Sequence, residues 1–477
     1  MFTMRKTYIS AVLSGMLLFT ACSDDLNTRP STSLPTDEAI ETNADLQLAL
    51  NGVYQRVSRV RSLHAADFGL YADAKGGDTD VTLNSNQFSD VTNFQLNKQH
   101  SIPKDFYQEF SRVIAYCNQA LEAGEKLPAS EKAKAEYKYI KGQLIAARAL
   151  FHFDMARLFS QLPTVEGVDV NAAQSGVVIN DQVFNVFHQF KRSTIKETYD
   201  FIINGLNESL TLLSKDKQPG GINYYAAEAL LARAYLYNGN WAEALQAAED
   251  VIENSAAKLY TTENYLSSWS ATDSDESLFE IYLTDNIKNN PQRNGLGGYT
   301  TIEGYGEVGV NARILSIFDA IEEGTDVRKS MVKLEKNDKA SGWYVQKYKG
   351  RPDATNWMYV NNPKIIRLAE VYYIAAEAAL KSGNQAKADK YYNELRETRF
   401  ENGYVAKNNV TIDDILADRR IELFCENHRM FDLVRNNKEV PSWNTDAIRK
   451  PNAFDILCPI PQSETDVNPD MKQNPGF

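Results

Sequence analysis

Apolar residues along this chain recur at helical spacing, in blocks that come in pairs. Leu46, Leu50, Val53 and Val57 mark one face of a helix, with Tyr54 beside them and a start expected near Thr36. Residues 106–123 and 132–159 carry the same pattern on either side of Glu125-Lys-Leu-Pro128. In the second block Ile140, Leu144, Ala147, Phe151, Met155 and Leu158 form one stripe, closed by Leu162-Pro163. Further pairs are predicted at 194–213 with 224–237, broken by Pro219-Gly220-Gly221, then 241–253, and at 365–381 with 385–398. Thr411 caps a block over 413–426, with a short partner at 428–436. Periodicity fails over 61–103, which reads as a long loop, and over 259–362. Within the latter, 276–282 and 344–348 alternate as strands do.

Two of the pairs share a register. Ala232, Tyr235, Gly239, Ala244, Leu245 and Ala248 match the small, aromatic and turn positions of a tetratricopeptide unit, and Ala376, Ala379, Gly383, Ala388 and Tyr392 repeat most of them. Gly239 and Gly383 sit where a left-handed helix end is expected. They are separated by far more than the ~34 residues of a tandem array, so the repeats are interrupted by the 259–362 insertion.

The N-terminus reads as an export signal. Arg5 and Lys6 precede an apolar run over 9–19, and Leu18-Phe19-Thr20-Ala21 leads into Cys22 as a bacterial lipobox does. The run is shorter than the ~20 residues that span a bilayer. Residues 1–21 are therefore expected to be removed and Cys22 lipidated, with residues 22–35 as a polar tether to a single domain at 36–477. Several acyl chains, at about 0.8 kcal/mol per buried CH₂, would hold that domain on a membrane.

Composition narrows the chemistry. Lys and Arg number 51 against 63 Asp and Glu, a formal net charge of −12 that argues against a nucleic-acid partner. Loss of Arg5 and Lys6 with the leader makes the chain more acidic still. Cys117, Cys425 and Cys458 are an odd set with no C-x-x-C, read as buried thiols rather than a disulfide framework or a zinc site. No nucleophile elbow or phosphate loop is present, and Gly295-Leu-Gly297-Gly298 lacks the strand-to-helix context of one. Asp73, Asp78, Asp80, Asp273, Asp275 and Glu276 leave two minor alternatives open, a glycoside hydrolase pair and a calcium site; no other cofactor is expected.

Several blocks in order resemble the SusD/RagB family of Bacteroidetes outer-membrane lipoproteins. They are 142–163 with Arg148, Asp154 and Arg157; 366–378 with Arg367, Ala369, Glu370 and Glu377; and Asp418-Arg419-Arg420 through Glu422, Glu426, His428, Arg429, Phe431, Asp432 and Arg435. The ending Pro459-Ile-Pro461 with Asn474-Pro475-Gly476-Phe477 fits as well, and Ser23-Asp24-Asp25 resembles the surface-export signal of such lipoproteins. The arginines and glutamates of these blocks read as scaffold, pairing along one helix and tying neighbouring ones. The resemblance implies a mainly α, tetratricopeptide-like scaffold with long irregular loops and a few short strands. It also implies no catalysis, a lipid-anchored, surface-exposed place on the outer membrane, and a SusC-like TonB-dependent barrel as partner. The ligand would be an oligosaccharide, with peptide as the alternative; a docking scaffold without a ligand is the third reading. A sugar site is expected as a shallow aromatic platform of Tyr71, Phe88, Trp269, Tyr299, Tyr305 and Trp357, with Asn84 and Asn86 as polar partners. Trp241 is set aside as a repeat-packing residue.

Overall fold

The computed structural model describes residues 40–81, 87–185, 187–286, 291–322, 324–338, 340–355, 357–443 and 447–477. The leader, Cys22, the whole tether, Asn84 and Asn86 lie outside the described residues, as does the side chain of Trp357. The scaffold helices are α1 (Asn43–Arg59), α2 (Asp67–Lys75), α3 (Ser101–Glu125), α4 (Ala135–Phe159), α5 (Ile195–Leu210), α6 (Tyr224–Asn238), α7 (Trp241–Asn254), α8 (Leu368–Lys381), α9 (Gln385–Glu397), α10 (Ile412–Glu422) and α11 (Arg429–Arg435). The helix-rich class expected from periodicity is what the chain adopts, and shorter helices lie in the connections.

Local chemistry fixes where these helices begin and end. Thr42, Thr194 and Thr411 each accept from the third backbone amide of their helix, while Asp45, Glu197 and Asp414 reach back to the cap, a reciprocal pairing that satisfies donors the helix cannot. At the end of α6 Gly239 takes φ 81°, a left-handed conformation that a Cβ would oppose.

Alanine sets the repeat packing. Ala226, Ala227, Ala229, Ala232 and Ala234 of α6 and Ala369, Ala375, Ala376, Ala378 and Ala379 of α8 are all buried, so the helices approach closely. The chain leaves this stack after α7 and rejoins it at α8, and α7 packs directly against α8. The insertion therefore loops out between consecutive repeats without separating them. Its base is closed by strand β2 (Ser277–Glu280) paired antiparallel with β6 (Lys364–Arg367). Ile365, Ile366 and Arg367 thus belong to a strand and not to the start of the helix that their apolar pattern suggested. Further out, β4 (Val332–Lys336) and β5 (Ser341–Val345) form a hairpin, and β1 (Thr79–Val81) pairs with β3 (Val308–Val310).

Buried ions lock the insertion to the repeats. Glu422 of α10 meets Arg367 at 2.8 Å and Arg399 at 3.0 Å, with Arg328 at 3.6 Å. Arg399 also holds Glu276 at 2.9 Å, and Glu426 takes Arg367 at 2.7 Å and Lys347 at 2.5 Å. All of these side chains are almost fully buried. The signature residues are scaffold: Asp154 with Arg157, and Asp432 with Arg435 at 2.8 Å, pair along one helix, whereas Arg419 and Arg420 reach away from Glu422 and Glu426. Arg419 binds Asp432 at 2.9 Å, and Arg420 binds Asp78, 342 positions away, at 2.8 Å.

The stretch 61–103 departs from its reading as a loop. It contains α2, in which Asp67, Phe68, Leu70, Tyr71, Ala72, Asp73, Ala74 and Lys75 are all buried. A helix covered on every side has no polar face, so no amphipathic period marks it. Its carboxylates are spent on the scaffold. Asp73 accepts from the Cys425 amide at 3.1 Å and the Asn427 amide at 2.6 Å, and Asp78 pairs with Arg420 and Arg429.

Candidate functional site

α2 and the 291–310 segment meet at the outer end of the insertion, and the side chains gathered there form the candidate site. Tyr299, on the short helix Leu296–Thr300, is fully buried and donates its hydroxyl to Asp67 at 2.9 Å. Phe88 stands edge-on to the Tyr299 ring, with centroids 5.2 Å apart and planes at 89°. Tyr305 stacks on Tyr299 at 6.2 Å and 28°, and is half-buried. A tight return places Tyr305 there: its amide donates to the Gly298 carbonyl at 2.6 Å. A Cβ on Gly304 would collide with that carbonyl, so the approach requires glycine.

Two guanidiniums border the stack. Arg293 is exposed, lies 5.0 Å from the Tyr305 ring centroid, and donates to the Gly304 carbonyl at 3.0 Å. Arg61 pairs with Asp67 at 3.2 Å, donates to Gln87, and keeps 46% of its side chain exposed. Behind them Glu307 is buried and accepts from the Phe88 amide at 2.7 Å. Burial pushes the Asp67 carboxyl up to about 6, against the opposing pull of Arg61 and the Tyr299 hydroxyl. Burial also pushes Glu307 up to about 7, opposed by the amides of Phe88 and Gln87. The outcome is one half-exposed ring on a rigid buried base, with guanidinium donors beside it. That combination suits a polar ligand with an apolar face.

Of the expected platform aromatics, Tyr71 and Trp269 lie elsewhere. Tyr71, Phe88, Trp269 and Tyr299 are buried and cannot form an exposed surface. The Tyr71 hydroxyl lies 3.3 Å from the Cys458 sulfur and accepts from Lys75 at 3.0 Å. Trp269 is core: Lys347, Arg367 and Lys364 lie 4.6, 5.3 and 5.5 Å from its ring, where the π face helps hold buried cations. The structure brings together Phe88, Tyr299 and Tyr305, and adds Arg61, Asp67, Arg293 and Glu307, which sequence reasoning did not choose. Four of the six carboxylates that kept a hydrolase or calcium reading open are otherwise engaged. Asp73 and Asp78 serve α2, Glu276 serves Arg367 and Arg399, and Asp273 accepts from Tyr282. Among the described residues no three His, Cys, Asp or Glu side chains gather as metal ligands do.

Comparison with known proteins places this architecture. Residues 183–477 match a family model described as the SusD family, and residues 26–236 match one described as starch-binding, associating with outer membrane. The chain belongs to the SusD family. A putative sugar binding protein from Bacteroides vulgatus is 30% identical and superposes with a TM-score of 0.83, over 92% of this chain and 99% of its own. A SusD superfamily protein from Bacteroides thetaiotaomicron is 28% identical, with a TM-score of 0.83 over 91% and 100%. The SusD-like protein P2 of Formosa agariphila is 25% identical over 99% of this chain and its own full length. The SusD assignment covers both the helical scaffold and the insertion that carries the candidate site.

Titration of the site should appear in stability. Asp67, Glu307 and Asp73, which burial pushes up to about 7, bind protons more readily folded than unfolded. Their contribution is complete below the ordinary carboxylate range near pH 4 and is lost as pH rises through about 6 to 7. Glu370 opposes them at lower pH: burial raises its carboxyl, but Arg233 and His428 bring it down to about 2. That contribution disappears as pH falls below about 4. The melting temperature is therefore expected to peak near about pH 5, and Glu307→Gln to flatten the decline toward pH 8. Calorimetric scans across that range check it, and a melting temperature climbing steadily from pH 5 to 8 would contradict it.

Proposed function

We propose that this chain is a lipid-anchored carbohydrate-binding protein of the outer-membrane surface, which captures oligosaccharide and delivers it to a SusC-like TonB-dependent barrel. The observation that carries the binding half is the Tyr305 ring, half-exposed on a buried Tyr299–Phe88 base beside Arg293 and Arg61. Sugar C–H faces stack on such a ring while guanidiniums donate to hydroxyls. Membership of the SusD family, and a relative named as sugar-binding, support the ligand class. Anchoring rests on the lipobox that ends in Cys22. The reading is of a binder and not a hydrolase because the family and its sugar-binding relative support binding, and Asp67 and Glu307 are engaged by the Tyr299 hydroxyl and the Phe88 amide.

The test has two arms. Isolated domain titrated with starch- and laminarin-derived oligosaccharides is expected to bind at micromolar to millimolar Kd, about −8 to −4 kcal/mol, with no new reducing ends. Turnover would sink the binding reading, and binding of peptides alone would redirect it. Mild solubilisation of outer membranes should co-purify a barrel, and Cys22→Ser should leave the membrane fraction. Recovery of the native protein alone, or membrane retention of the cleaved variant, would count against delivery and anchoring respectively.

A further inference from the structure

A pocket lies between Val178, Asn180 and residues 188–190, helices α3 and α4, and the C-terminal helix Gln462–Val467. Its volume is about 310 Å³, at the lower end of small-molecule sites, which run from about 300 to 1,000 Å³. Tyr107, His188 and Phe190 give it ring walls, and Met155 and Met471 line it further. The rings are built as a unit. His188 stacks on Phe184 at 4.2 Å and 22°, and Phe190 meets both edge-on at 5.0 and 4.6 Å. Phe187, beside them, is 85% exposed.

One acidic residue lines this space. Glu464 is half-buried on the pocket wall. Burial raises its carboxyl, only the Ser463 hydroxyl offsets this, and no cation contributes. Glu464 and Tyr107 line the same pocket. Arg192, the cation on the Tyr107 side, donates instead to the carbonyls of Gly176, Phe159, Lys472 and Ser175. Glu464 thus shares the pocket wall with Tyr107, His188 and Phe190, and among the described residues no Lys or Arg forms an ion pair with it.

We propose that the Tyr107–His188–Phe190–Glu464 pocket binds a primary ammonium group carried on a small stem, as on an amino sugar or a lysyl side chain. Ring faces attract a cation through their quadrupole, and the carboxylate fixes its position and takes its hydrogen bonds. The site shares no residue with the Tyr305 cluster, so its fate is independent of the carbohydrate reading made there.

The test uses the whole domain, titrated with the glucosamine trisaccharide, its N-acetylated counterpart, and a lysine blocked at its α-amino and carboxyl groups. At least one free amine is expected to bind ten or more times tighter than the acetylated sugar. Glu464→Gln, which keeps size and removes charge, should weaken amine binding about tenfold. Binding by the glucosamine trisaccharide alone assigns an amino sugar, and binding by the blocked lysine alone assigns a lysyl group. Equal affinity for amine and acetylated sugar, no binding of either amine, or an unchanged affinity in Glu464→Gln with an unaltered melting curve would each overturn the proposal.

Discussion

Glu422→Gln is expected to lower the unfolding free energy by about 3–5 kcal/mol, the cost of removing one partner from a buried ion pair. Burial alone would raise the Glu422 carboxyl, but Arg399, Arg367 and Arg328 hold it well below the usual carboxylate range. Glutamine keeps the shape and discards the charge, leaving three buried guanidiniums short of an acceptor. Arg367 retains Glu426 and Glu276, and Arg399 retains Glu276, so the insertion should loosen and not detach. The control is Asp200→Asn, which breaks the exposed Lys196–Asp200 pair of 2.5 Å and should cost no more than about 0.5 kcal/mol. Denaturant titration of both variants gives the comparison. A Glu422→Gln loss as small as that of Asp200→Asn would mean the network does not stabilise the fold.

What could be read in the sequence was what depends on near neighbours. Paired helices showed as amphipathic stripes, their starts as Thr with Asp or Glu three residues on, and the repeat turns as Gly239 and Gly383. What depends on distant partners could not be seen. α2 has no polar face because Asp73 finds the Asn427 amide 354 residues away. Trp269 looked like a loop aromatic because the cations around its ring come from positions 347, 364 and 367. Tyr299 and Tyr305 are alike in composition and setting, yet one short helical turn and the Gly298–Gly304 return bury the first and leave the second half-exposed. The insertion was identified as the place for a site; which of its aromatics face outward was set by contacts that no local pattern carries.

Tyr305→Ala and Tyr299→Ala should therefore behave oppositely. Loss of one stacked ring removes about 0.5–1.5 kcal/mol, so Tyr305→Ala should weaken oligosaccharide binding by up to about tenfold. Because that ring is half-buried, its removal should shift the melting temperature little. Tyr299 is fully buried, carries Phe88 and Tyr305 against its faces, and donates to Asp67. Its truncation leaves a cavity and leaves the buried Asp67 carboxyl with Arg61 but without its hydroxyl donor, and is expected to cost about 3–5 kcal/mol of stability. Tyr299→Phe separates the two effects: the ring stays, Asp67 loses a donor that opposed its upward shift, and oligosaccharide binding should remain close to that of the unaltered protein. Calorimetric titration with a bound oligosaccharide, run beside melting curves for all three variants, decides the matter. Should Tyr305→Ala bind as the unaltered protein does while Tyr299→Ala merely unfolds, the sugar must rest on another surface, and the Tyr305 cluster would be structure alone.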